Sequence, residues 1–194
     1  MPELNALVEL LAMLVKEPRT GVLFVLLVAA AISDYRTYQI PNWLTFGGIA
    51  FGLIYNSIVP FYLNQGFLWA LGGLVVGFLI MLPCYVLRIM GAGDVKLMGM
   101  VGSLLGLTNT LHAALYSFIA AGITALVFSL YKKALVRMLG NVKDITQMMI
   151  YSIIGGFRPE VQIETSQSVG KLPFGVCISI GTIAFVIAKQ LSYT

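Results

Sequence analysis

Two aspartates stand out among the ionisable residues of this 194-residue chain, because both adjoin apolar segments. Of the eight acidic residues, three precede Pro18 and three lie between Lys132 and Lys171, which leaves Asp34 and Asp94. Ionisable side chains at membrane depth are costly and often mark functional sites. Two carboxyl groups a few ångströms apart share one proton, so that one group takes a proton from water while the other donates to a carbonyl oxygen. Such a pair could hydrolyse a peptide bond.

Spacing alone leaves three interpretations of the aspartates open. They could be interfacial side chains, each paired with the neighbouring cation Arg36 or Lys96. They could form a proton- or cation-coupled transport site, or they could be an aspartic protease dyad. Gly91 and Gly93, which precede Asp94 in Gly-Ala-Gly-Asp, suit the dyad because glycine lets an extended substrate backbone approach closely. The same glycines are equally compatible with a simple turn.

The elements that carry these aspartates are predicted to be membrane helices. Hydrophobic residues make up 59% of the chain and charged residues only 10%, whereas soluble domains average about 45–50% and about 25%. This composition excludes a soluble globular enzyme, a disordered chain and a nucleic-acid-binding domain. Because a crossing needs about 20 apolar residues, we predict an all-α, polytopic membrane protein with about six helices. The six apolar segments are Gly21–Ser33, Trp43–Val59, Gly66–Leu87, Leu97–Leu107, Leu111–Tyr131 and Leu172–Ala188.

The distribution of positive charge predicts the orientation. Nine of the twelve basic residues lie in three connections between the segments, namely those at Arg36, at Arg88 and Lys96, and at Lys132–Lys171. The connections Pro60–Gln65 and Thr108–Thr110 carry no charge. If all six segments cross, the basic connections share one side, and the positive-inside rule makes that side cytoplasmic. Asp34 ends the first segment and Asp94 opens the fourth, so both should lie at this cytoplasmic face.

Two further stretches are predicted to lie along the membrane surface. Residues 1–18 contain an apolar run that stops at Pro18 and is typical of an interfacial helix. A cleaved signal peptide is the alternative, because Gly21–Ala31 resembles an apolar signal core. In the connection 132–171, apolar residues recur at three- and four-residue steps, which predicts an amphipathic cytoplasmic helix on the anionic leaflet or packed on the protein surface.

Three motifs together resemble a known family, the type IV prepilin peptidases, which are membrane aspartic peptidases of bacteria with a Gly-x-Gly-Asp motif. The order and spacing of the motifs agree with that family, and they extend from Asp34 to the last apolar segment. The motifs are Asp34-x-Arg36-x-x-x-Ile40-Pro41-Asn42, Gly91-Ala92-Gly93-Asp94-Val95-Lys96-Leu97 and Lys171-Leu172-Pro173-Phe174-Gly175.

The resemblance implies a single membrane-embedded peptidase domain over residues 1–194, with Asp34 and Asp94 as the catalytic pair. It implies cleavage of a prepilin just after a leader that ends in glycine, at the cytoplasmic face of the bacterial inner membrane. Inner-membrane lipid is then the other partner, and we expect no nucleic acid, metal or cofactor. The residues expected to bind substrate or support the pair are Gly91, Gly93, Lys96, Arg36, Pro173, Phe174 and Gly175.

One departure from the family pattern concerns the cysteines. Long members begin with a cytoplasmic domain that holds two Cys-x-x-Cys pairs and also N-methylates the mature pilin. This chain has only Cys84 and Cys177, both within apolar segments. It therefore resembles the short members, such as those of tight-adherence (Flp) pilus systems, and methylation is not expected of it.

Overall fold

The computed structural model describes residues 18–58, 66–87, 89–131, 147 and 173–191. The elements with defined bounds are five α-helices, and the described residues contain no strand. We number them α1 (Pro18–Thr37), α2 (Asn42–Ile58), α3 (Phe67–Val86), α4 (Ala92–Tyr131) and α5 (Phe174–Leu191). All except the 17-residue α2 are long and apolar enough to cross a membrane. The prediction of an all-α membrane protein is confirmed.

The two predicted surface stretches fall almost entirely outside this description. Only Pro18 of the segment 1–18 and Gln147 of the connection 132–171 are among the described residues. The interfacial helix and the amphipathic helix therefore stay predictions.

A single glycine divides α4 into two arms. Gly106 has φ 73° and ψ 174°, a backbone conformation that is open to glycine and strained for other residues. We call residues 92–105 the inner arm and residues 107–131 the outer arm. The inner arm runs antiparallel to α3, since Gly77 packs on the backbone of Met98 and Gly73 packs on Gly102.

The outer arm returns along α5 in the opposite direction. Near its start, Asn109 accepts a hydrogen bond from the Lys189 ammonium group at 2.9 Å. Further along, the Ser117 hydroxyl lies 3.4 Å from the carbonyl oxygen of Ile178. The chain therefore reverses direction at Gly106, and the described helices form six runs that alternate in direction. That each of the six runs crosses the membrane stays a prediction.

The predicted connection at Thr108–Thr110 is wrong, because these residues are helical. Their side chains bond to the preceding turn: the Asn109 amide donates to the carbonyl of Leu105, and the Thr110 hydroxyl donates to that of Gly106. Polar residues here follow the reversal instead of forming it. The positive φ of Gly106 makes the turn without a longer loop.

The inner arm lies at the centre of the structure. Leu97, Met98, Met100 and Val101 on this arm are completely buried. It is shorter than an ordinary crossing. If it does cross, the surrounding helices shield it from lipid.

Helix α3 turns a face with small residues toward the interior and several larger apolar residues outward. On α3 the buried stripe steps by three and four residues and includes Gly73 and Gly77, whereas Val75 and Leu79 are exposed. Helices in lipid associate through such small-residue faces, because the absence of side chains lets the backbones pack closely. Helix α1 has a buried stripe with the same spacing, which directs Asp34 toward the interior. The stripe runs through Leu23, Leu27, Ala30 and Asp34.

Candidate active site

Asp34 lies in the last turn of α1 and is only 5% exposed. The helix ends just beyond it, where Tyr38 adopts a φ of 51° and its backbone N–H donates to the Asp34 carbonyl at 2.8 Å. The Asp34 carboxylate accepts a hydrogen bond from the backbone N–H of Val176 at 3.3 Å, in the first turn of α5. A methyl group added at Gly175 would lie 2.9 Å from the same carboxylate oxygen. Glycine at this position is therefore what permits the close approach.

Asp94 lies in the first turn of α4 and is 8% exposed. Its carboxylate accepts a hydrogen bond from the backbone N–H of Gly91 at 3.0 Å, while the Asp94 N–H donates to the Gly91 carbonyl at 3.1 Å. A carboxylate that reaches back to the residue preceding its helix satisfies an N–H that the helix leaves unpaired. This reciprocal pair of hydrogen bonds fixes the Asp94 side chain at the start of the inner arm.

The two carboxylates lie at the same end of the bundle, one in the last turn of α1 and the other in the first turn of α4. Their surroundings also meet through one side chain, because Ile40 contacts Gly93 beside Asp94 and Gly175 beside Asp34. The structure thus brings together two aspartates that are 60 positions apart in the sequence.

The third motif also contributes to this end of the bundle. Pro173 immediately precedes α5, and Phe174 begins the helix and packs against the hydrophobic core. Gly175 and Val176 then present backbone to Asp34. The segment therefore approaches the aspartate through its main chain, with Phe174 anchoring it in the core.

The two predicted supporting cations do not pair with the aspartates. The Lys96 ammonium group donates a 2.9 Å hydrogen bond to Asn42 and lies 5.1 Å from the ring centre of Phe46, both on α2. Arg36 is exposed in the last turn of α1. Among the described residues no ion pair involves either aspartate, so Arg36 and Lys96 are not seen to neutralise them.

The chemistry available at this end is that of two buried carboxyl groups. Among the described residues, no three His, Cys, Asp or Glu side chains come together as a metal-ligand cluster. Backbone N–H groups, and not cations, are the groups observed to bond the carboxylates. Such a site can hold one proton between two acids and activate a water molecule.

Sequence reasoning missed three participants. Ile40 and Asn42 belong to the first motif, but their residue types gave no indication of what they contact. The Val176 N–H is a backbone donor, so no residue type could have indicated it. Only the position of Val176 directly after the third motif was a signal.

A comparison with protein-family models tests the family resemblance that the motifs indicate. Residues 21–126 match the model of the type IV leader peptidase family, which is more than half of the chain. The chain belongs to that family. The matched residues include both aspartates and end before α5. No curated protein and no solved structure matches the chain.

Because the chain belongs to the leader peptidase family, peptide-bond hydrolysis is the reaction to compare with the geometry of the site. The match covers α1 to α3, the inner arm and most of the outer arm. Pro173, Phe174 and Gly175 lie beyond it, so their place at the site depends on their contacts and on the motif resemblance.

Proposed function

We propose that this member of the type IV leader peptidase family is an aspartic endopeptidase that uses Asp34 and Asp94. The observation that carries the proposal is the burial of both carboxylates at one end of the bundle, with Ile40 lying against the residue next to each of them. One carboxylate takes a proton from the attacking water, and the other, protonated, donates to the scissile carbonyl oxygen. The two exchange roles during turnover, so titration belongs to the pair.

The backbone around the carboxylates fits this division of work. Val176 and Gly91 each donate one N–H to a carboxylate oxygen. These bonds fix the orientation of both side chains without adding a full positive charge. A cation at either aspartate would hold it ionised, whereas the mechanism needs the pair to retain one proton.

The proposed substrate is the leader of a type IV or Flp-type prepilin, cut after a glycine. Two features support it: the family match and the glycines at the site. Gly91 and Gly93 precede Asp94, and Gly91 is exposed, so an extended peptide backbone can approach without meeting a side chain. We further propose that this end of the bundle faces the cytoplasm of the bacterial inner membrane, since the helix ends that the basic connections join lie there.

A carboxylate-dependent transporter is supported less well. Transport sites generally lie near the bilayer midplane, between broken helices. Here Asp34 lies in the last turn of its helix and Asp94 in the first turn of its own. The interruption at Gly106 is at the far end of the inner arm.

Reconstitution tests the proposed activity. The purified protein in liposomes is mixed with a prepilin precursor, and the products are identified by mass spectrometry. We expect one cut, directly after the leader glycine, and no cut in a precursor whose leader glycine is replaced by valine. An intact precursor beside a folded, correctly inserted protein would contradict the proposal, and coupled proton uptake in the same liposomes would favour the transporter.

Cysteine labelling tests the proposed orientation. Gln39 and Thr108 are both exposed, and they lie at opposite ends of the bundle. In a background without Cys84 and Cys177, a cysteine at Thr108 should react with an impermeant thiol reagent added outside the cell. A cysteine at Gln39 should react only after the membrane is permeabilised. The reverse pattern would place the aspartates outside.

A further inference from the structure

The connection between α1 and α2 is hydrogen-bonded to the end of α1. The Ser33 hydroxyl donates to the carbonyl oxygen of Gln39 at 2.8 Å, and the Thr37 hydroxyl lies 2.8 Å from the carbonyl oxygen of Ser33 and 3.2 Å from that of Gln39. Tyr38, between Thr37 and Gln39, adopts the left-handed conformation that turns the chain. Ile40 follows Gln39 and lies against Gly93 and Gly175.

Ile40 fills the space between the two segments that flank the aspartates. A methyl group added at Gly93 would lie 3.3 Å from Cβ of Ile40, and one added at Gly175 would lie 2.8 Å from Cδ1. The same position at Gly93 is 3.7 Å from Cγ1 and Cδ1 of Ile40. One isoleucine side chain therefore lies against the backbone next to Asp94 and, through Cδ1, against the backbone next to Asp34.

We infer that Ile40 is a positioning residue that sets the separation of the two carboxylates, an inference that rests on the proposed function. Gly93 and Gly175 have no side chains with which to space their segments, so the spacing depends on what lies between them. A β-branched side chain is suited to this because its χ1 angle is nearly fixed. The inference also gives the hydrogen bonds of the α1–α2 connection a role, because they fix where Ile40 lies relative to α1.

The test is the kinetics of three variants, Ile40→Ala, Ile40→Val and Ile40→Leu, with a prepilin substrate. We expect Ile40→Ala to lower kcat about 100-fold, because a displacement of about 1 Å at a catalytic group has that effect. KM should change little, because Ile40 is proposed to space the carboxylates and not to bind the leader. The pH profile of kcat should also change shape, since the coupling between two acids depends on their distance.

The conservative variants grade the loss of contact. Valine keeps Cβ, the atom nearest Gly93, and loses Cδ1, which lies near both glycines. Ile40→Val should therefore be intermediate in kcat, with an altered pH profile. Leucine keeps a terminal methyl but not the β-branch, so Ile40→Leu should also fall between wild type and Ile40→Ala.

A matched control distinguishes spacing from general packing. Ile49 on α2 is likewise partly buried against the hydrophobic core. Ile49→Ala removes the same atoms away from the aspartates, so it should lower the thermal stability without changing kcat or its pH profile. If Ile40→Ala behaves as Ile49→Ala does, Ile40 is only a packing residue and the inference is wrong.

Asp94→Asn, assayed beside these variants, separates failure of this inference from failure of the proposed function. If Asp94→Asn cuts normally, the dyad itself is wrong. If Asp94→Asn is inactive while Ile40→Ala keeps a wild-type kcat and pH profile, only the positioning role is wrong. Should Ile40→Ala fail to accumulate in the membrane, Ile40→Val decides, and a wild-type kcat and pH profile for it would overturn the inference.

Discussion

The backbone N–H of Val176 donates to the carboxylate of Asp34 across 142 residues of chain, at 3.3 Å. This contact joins the first motif to the third and gives the third motif a physical role. Gly175 brings the start of α5 against Asp34, and Val176 supplies the donor. The motif therefore acts through the main chain, and any side chain at Gly175 would separate the two.

Gly175→Ala is predicted to abolish most of the peptidase activity. The added methyl group would lie 2.9 Å from the Asp34 carboxylate and 2.8 Å from Ile40, so α5 and Asp34 would have to move apart. We expect cleavage to fall about 100-fold. Cleavage of a co-expressed precursor, read on a gel and normalised to membrane-inserted protein, measures this.

Gly122→Ala is the control for that substitution. Gly122 is also a helical glycine, but a methyl group added there meets nothing within 4 Å. Alanine should therefore be accepted with normal cleavage, and with some gain in stability because alanine favours helix. Equal activity of the two variants would show that α5 does not need to approach Asp34 closely.

Adjacent glycines on α3 give a sharp test of the packing between α3 and the inner arm. A methyl group at Gly73 would collide with the backbone of Gly102, whereas one at Gly72 would come only within 3.9 Å of Leu107. Gly73→Ala should lower the unfolding free energy by about 1–3 kcal/mol, as overpacking usually does. Gly72→Ala should be neutral. Thermal unfolding in detergent compares them, and equal melting temperatures would contradict the close antiparallel packing.

Lys96 is predicted to support the fold more than the chemistry. Its ammonium group bonds Asn42, so Lys96→Met and Asn42→Ala should each destabilise the protein modestly. Their effects should be less than additive, with a coupling energy of about 1 kcal/mol. The pH profile of cleavage should keep its shape in both variants. A displaced profile in Lys96→Met alone would indicate that the cation acts on the aspartates.

The sequence predicted the helices well where a single property decides them. Apolar length identified α3 within one residue at each end, as Gly66–Leu87 against Phe67–Val86. It did not locate the reversal at Gly106, because threonine and asparagine interrupt an apolar run whether they form a loop or bond back to the preceding turn. Both arrangements have the same hydropathy, and only the backbone angle of Gly106 separates them.

At the site, too, some residues could be predicted from the sequence and others could not. Asp34 and Asp94 could be singled out because ionisable residues are rare in this chain and because motif spacing is specific. Ile40 could not, since an isoleucine in an apolar protein carries no chemical signal. Lys96 was weighed as a possible modulator of the aspartates, but sequence neighbours that are two positions apart on a helix point in different directions. Its actual partner, Asn42, lies 54 residues away in the chain.

The most direct test of the account replaces each aspartate by asparagine and measures precursor cleavage by the purified variants. Asparagine keeps the shape of the side chain but can neither take a proton from water nor exchange roles in the cycle. We predict that Asp34→Asn and Asp94→Asn each lower the rate at least about 1,000-fold and that the double variant is little worse. Asp144, in the connection 132–171, is the control, and Asp144→Asn should cut normally. Cleavage near the wild-type rate by either single variant, at normal levels in the membrane, would contradict the dyad.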